Sequence, residues 1–116
     1  MEFISFFRCM FYIYIIYSES ADKYYTGHTD DPERRLFEHN NLDVDSFTSK
    51  FRPWKIVFKY PISESRSQAI IIERSLKNRK SKIVLKKLIE KQKDTVFLIQ
   101  FFNKILNKHQ INKRIG

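Results

Sequence analysis

Phe11-Tyr12-Ile13-Tyr14-Ile15-Ile16-Tyr17, then Ser18 to Asp22, then Lys23-Tyr24-Tyr25-Thr26-Gly27-His28-Thr29: this stretch decides the fold. Its first block is rich in aromatic and β-branched side chains, which suit a half-buried pleated strand. Alternation puts Tyr12, Tyr14 and Ile16 on one face, with Phe11, Ile13 and Ile15 on the other. The polar segment Ser18 to Asp22 is short enough for a hairpin turn. Lys23 to Thr29 is therefore expected to return antiparallel, ending at Gly27 and the acidic pair that follows.

Outward from this hairpin, Asp31-Pro32-Glu33 is a helix start, with a cap acceptor, a proline in the first turn and an acid at the positive dipole end. The spacing predicts a helix to about Asn40 with Leu36 facing the core. Asn41 to Phe51 is polar and irregular, hence a loop. Trp54, Ile56, Phe58 and Tyr60 alternate with Lys55, Val57 and Lys59, which predicts a third strand ended by Pro61. Ser63 or Ser65 can cap a second helix whose buried face is Ala69, Ile72 and Leu76. Ser81 to about Lys93 repeats the helical period through Val84, Leu85 and Leu88. From Thr95, Phe97, Leu98, Phe101, Phe102, Ile105 and Leu106 predict an amphipathic tail helix. The order β-β-α-β-α-α, with the tail helix after it, gives an α+β class: a small three-stranded, largely antiparallel sheet flanked by helices.

The 116 residues allow one domain with one modest core, enlarged by eleven Phe, six Tyr and one Trp. The expected organisation is an apolar leader over residues 1–10, a main folded unit over 11–93 and a helical tail over 94–116. With two Gly and three Pro, the chain is neither low-complexity nor repetitive. The single Cys9 excludes an internal disulfide and gives no zinc cluster, which suits a reducing cytoplasm. Phe3 to Tyr17 carries Glu2 before it and Arg8 within it, so it is neither a secretory signal nor a membrane span. Met10, just before the first strand, can equally be the effective start. A net charge of +9 points to nucleic-acid phosphates or an anionic membrane face.

Cutting a phosphodiester needs a positioned water, neutralised phosphate oxygens and a stabilised leaving oxygen. Tyr14 and Tyr25 lie on adjacent strands, so their hydroxyls can converge, although aromatic packing explains tyrosines in a strand equally well. Arg35 and His39, four apart, share a helix face. The guanidinium can fork onto phosphate and the imidazole can position a group or move a proton. Glu73 offers a hard oxygen for Mg²⁺ or Mn²⁺. Plain surface charges and a helix-end histidine are the bland alternative. Lys77, Arg79, Lys80 and Lys82, within a basic run from Arg74 to Lys93 that a solvated helix face would also explain, are expected nucleic-acid contacts together with Arg34 and with His28, which can equally sit exposed at a strand end. His109 and Cys9 receive no role.

Five segments in register make the chain resemble the GIY-YIG nuclease superfamily, most closely its small stand-alone bacterial members. They are Tyr12-Ile13-Tyr14, Tyr25-Thr26-Gly27, Arg34 to His39, Arg52-Pro53-Trp54 and Ile72-Glu73-Arg74. The first triplet has Tyr12 where the family has glycine, and Thr26 stands in the second for isoleucine. The resemblance implies one metal ion held by Glu73 alone, Tyr25 as the water-activating residue and Tyr14 as its support. It implies a metal-dependent DNA endonuclease. The competing readings are a weakly active nucleic-acid-binding module of the same fold and a membrane-surface protein. Branched, damaged or single-stranded DNA all stay open as substrate, as do repair, mobile-element movement and defence. The tail can pair two copies or cover its own core.

Overall fold

The computed structural model describes residues 9–79 and 82–115, so the first eight residues of the leader, Lys80 and Ser81 lie outside the described residues. Three strands form one sheet: β1 (Phe11–Ser18), β2 (Lys23–Thr29) and β3 (Lys55–Ser63), in the order β2-β1-β3. β1 is central and antiparallel to both neighbours. Among the described residues four α-helices follow the sequence expectation: α1 (Pro32–Asn41), α2 (Arg66–Asn78), α3 (Lys82–Glu90) and α4 (Thr95–Ile115). The α+β class and the β-β-α-β-α-α order hold, with the tail helix added.

The hairpin turns on Asp22, whose φ of 51° is the left-handed conformation that Asp tolerates better than most residues. Its carboxylate accepts a hydrogen bond from the Tyr17 hydroxyl at 2.9 Å. In the β1–β2 ladder Tyr14 faces Gly27, Ile13 faces His28 and Ile16 faces Tyr25. Gly27 is required there because the Tyr14 ring lies directly over it. A Cβ would stand 2.8 Å from Cε1 and closer still to Cζ and Oη.

Helices cover both faces of the sheet, and each face has its own cluster. Ile13, Ile15 and Phe58 pack with Ile72 and Leu76 of α2, Leu88 of α3, and Leu98, Phe102 and Ile105 of α4. On the other face Tyr14, Ile16 and Trp54 pack with Leu36 of α1, Tyr25, Phe51 and Ile56. Ala69, Ile72 and Leu76 are the buried residues of α2, as their spacing predicts.

Two expectations need correcting. β3 does not stop at Pro61 but runs on to Ser63, with Pro61 opposite Tyr12. The strand lies at the sheet edge, where a missing N–H need not interrupt a ladder. Ser65 does stand at the cap of α2, yet its hydroxyl pairs with that of Ser67 at 2.7 Å and bonds no helix N–H.

Candidate active site

β2 is an edge strand, so elements from both faces of the sheet can reach around it to one place. α1 comes from one side. It begins where Asp31 Oδ1 accepts the Arg34 N–H at 3.1 Å, with Pro32 in the first turn. This start aims Arg35 and His39, one helical turn apart, at the Tyr14–Tyr25 face. α2 comes from the other side and brings Glu73 and Lys77.

Tyr14 Oη and His39 Nε2 are 2.7 Å apart, and His39 Nδ1 lies 2.8 Å from Thr48 Oγ1. A neutral imidazole donates at one ring nitrogen and accepts at the other, so Tyr14 and Thr48 take opposite roles towards His39. The Arg35 charge also acts on the Tyr14 oxygen. Burial pushes the Tyr14 phenol far above its usual range, with Arg35 opposing. Tyr14 thus stays protonated. Burial, then the Arg35 charge, pushes His39 down to about 4, so the ring is neutral at pH 7. Burial also works against charge on Arg35, but Glu38, 3.0 Å away, and Tyr14 hold its pKa above the usual value.

Tyr25 meets the His39 ring edge-on at 5.1 Å between centroids, and Phe47 stacks on it from the loop at 6.2 Å. Tyr25, Arg35, Glu38 and His39 line a cleft of about 120 Å³, closed on its far side by Phe47 and Thr48. Tyr14 sits behind His39, 2% exposed. Glu73 is not in the wall of this cleft. It joins the group through Lys77, whose ammonium is 3.1 Å from Glu73 Oε2 and 4.7 Å from the centre of the Tyr25 ring. The Glu73 charge is felt at Tyr14, where it raises the pKa slightly.

His28 Nδ1 lies 2.7 Å from Glu73 Oε1, and Arg66 Nη1 lies 3.3 Å from His28 Nε2. Because Arg66 can only donate, Nε2 accepts and the Nδ1 proton is given to Glu73. The expected nucleic-acid contacts divide accordingly. His28 supports Glu73, and Lys77 bridges Glu73 to Tyr25. Arg34 is tied to Asp30 and Glu38, and Lys82 to the Asp22 carboxylate and carbonyl. Arg79 lies over the Phe101 ring. Lys80 is outside the described residues.

Sequence reasoning missed Thr48, Asn40 and Arg52, which build the back of the site. Asn40 Nδ2 donates to the Trp54 carbonyl and its Oδ1 accepts the Trp54 N–H, at 3.0 and 2.7 Å. Trp54 Nε1 donates to the Thr48 carbonyl at 2.7 Å, and Arg52 Nε to the His39 carbonyl at 2.6 Å. Among the described residues no buried side-chain nitrogen or oxygen lacks a partner. The only sequence signal was the Arg52-Pro53-Trp54 triplet.

The donor set suits a hard divalent ion. No cluster of three or more His, Cys, Asp or Glu able to hold a metal occurs among the described residues. Glu73, its side chain 20% exposed, is a single carboxylate beside a cationic surface. Mg²⁺ and Mn²⁺ commonly take one or two carboxylates and complete their shell with water and substrate phosphate. Beside Glu73 the described residues place the His28 imidazole, already hydrogen-bonded to the carboxylate, and no group of three donors that would suit a protein-rich shell.

A family model described as the GIY-YIG catalytic domain matches residues 10–89. No curated protein and no solved structure matches the chain. The matched segment takes in β1, β2, α1, β3, α2 and nearly all of α3. The matched segment carries every residue of the cleft and spans well over half of the 116 residues, so the chain belongs to the GIY-YIG family.

Proposed function

We propose that this protein is a metal-dependent endonuclease that hydrolyses DNA phosphodiester bonds. The observation that carries the reading is the convergence of Tyr25, Arg35 and His39 on one cleft, with the Glu73 carboxylate linked to it through Lys77. The family supplies nuclease activity as the general expectation.

Each group has a task its environment favours. Arg35, held charged, binds the phosphate oxygens and offsets the charge that builds there. Tyr25, at the cleft wall, orients the attacking water. Tyr14 keeps its proton and cannot act as a base near neutral pH; it holds Arg35 and His39 in place. His39, neutral, links Tyr14 to Thr48 through its two ring nitrogens. Mg²⁺ or Mn²⁺, when bound, supplies positive charge to the phosphate and the leaving oxygen. Glu73 would hold it, with the His28 N–H fixing the carboxylate orientation.

The test is a cleavage screen over duplex, single-stranded, flap and junction DNA, with and without Mn²⁺. Wild type is expected to cut only with the ion. Glu73→Ala is expected to lose on the order of a hundredfold or more in rate, with an unchanged circular dichroism spectrum. Cleavage that survives this substitution overturns the reading. DNA retention with no cleavage on any substrate would leave a binding module instead.

A further inference from the structure

The face between α2 and α4 carries a groove that the cleft does not use. It is about 710 Å³ in volume, floored by Ile71 and Phe101. Arg74 and Arg79 stand along the α2 side, and Lys104 and Lys108 along α4. A second depression of about 480 Å³ shares Ile71 and His109 with it and carries Lys113 and Arg114. No Asp or Glu lines either one. Elsewhere the opposite holds: Arg35 of the cleft, and Arg34, Lys77 and Lys82, each have a carboxylate partner. Among the described residues, Arg74, Lys104, Lys108, Lys113 and Arg114 form no ion pair with any described carboxylate. The α2 wall of the groove lies inside the family-matched segment and the α4 wall beyond it.

We infer that the α2–α4 groove is a second DNA-binding site, a track for one strand's phosphate backbone outside the cleft. It rests on the nuclease reading only for the identity of the polymer. From Lys104 to Arg114, α4 rises roughly 15 Å, the axial span of about four phosphates on one strand of a duplex. Unpaired cations spaced over that length match a linear polyanion. A membrane surface would be met by protruding apolar side chains; here the apolar floor is recessed between cationic rims. Arg74 directly follows Glu73 on α2, so a strand held in the groove is anchored on the helix that also presents the proposed metal ligand.

The experiment is fluorescence anisotropy with a labelled duplex across a salt series, without divalent ions, on the full chain. The variants are Arg74→Gln/Lys104→Gln/Lys108→Gln and a charge-matched control, Lys86→Gln/Lys87→Gln/Lys93→Gln. The groove variant is expected to weaken binding about tenfold and to lower the salt slope by about 2 to 3. The control is expected to change the slope by less than about 1. Lys108→Glu, on the exposed side of α4, is a second variant expected to weaken binding in the same direction. Equal losses in both triples, or normal binding by the groove variants, overturn the proposal. So does a groove variant that keeps DNA but loses phosphatidylcholine–phosphatidylserine vesicles. Cleavage is not the readout: absent cleavage with intact groove-dependent binding defeats the nuclease reading alone.

Discussion

His39 shows how burial changes what a residue type can do. Its sequence position, four after Arg35, suggested a group able to move a proton near neutral pH. In the folded chain it is 4% exposed and its pKa is pushed down to about 4. It is a neutral bridge between Tyr14 and Thr48, not a group titrating near 7. The folded state therefore binds fewer protons than the unfolded state between the ordinary value of 6.5 and about 4. By linkage, the stability that neutral His39 contributes is complete above pH 6.5 and is lost as pH falls towards 4. A shift of this size corresponds to about 3 kcal/mol at most. Urea unfolding at pH 7 and at pH 4.5 checks this. Wild type should lose more stability across that interval than His39→Gln, by roughly 2 kcal/mol. Parallel losses in the two proteins would show that His39 is not the group responsible.

At the scale of elements, the site depends on how closely β1 and β2 approach and on the loop behind α1. Gly27 is legible in the sequence as a strand ending, but the packing shows a different need: its missing side chain is the space the Tyr14 ring occupies. Gly27→Ala should cost about 1 to 3 kcal/mol as the buried ring is forced aside. Because that ring holds His39 and Arg35, cleavage should fall at least about tenfold, reflecting an ångström-scale misplacement. Thermal unfolding and rates on one DNA substrate, measured together, check it. A variant with wild-type stability and rate would mean that the ring relocates freely. The strands, α1 and α2 were legible because period, caps and turns are local properties of the chain. The loop from Leu42 to Trp54 was not. Thr48, Asn40 and Arg52 matter through bonds to residues 6 to 14 positions away, and no periodicity reports such contacts. The basic run was legible as charge, and Lys77 meets Glu73 one turn back on the same helix, yet Lys82 answers Asp22, a carboxylate brought near only by the fold.

For the whole molecule, the question is what α4 does for a catalytic fold whose family match ends at residue 89. The tail was read as able either to pair two copies or to cover its own core. Leu98, Phe102 and Ile105 are in fact buried against Ile72, Leu76 and Leu88, while Val96, Ile99 and Ile111 stay exposed. Phe102 also stacks on Tyr60 of β3 at 5.2 Å, so the helix ties α2 to the sheet edge remote from β2. Burying three such side chains is worth roughly 5 to 9 kcal/mol as an upper figure. Whole domains commonly hold only about 5 to 15 kcal/mol. A chain ending at residue 93 should therefore lose cooperative unfolding, even though every proposed catalytic group remains. Near-ultraviolet circular dichroism and limited proteolysis check this, with Phe102→Ala as a milder companion expected to cost about 3 to 5 kcal/mol. A truncated chain that melts cooperatively near the wild-type temperature would show that α4 is an appendage. In that case its cations, and not its apolar face, would be what the helix adds.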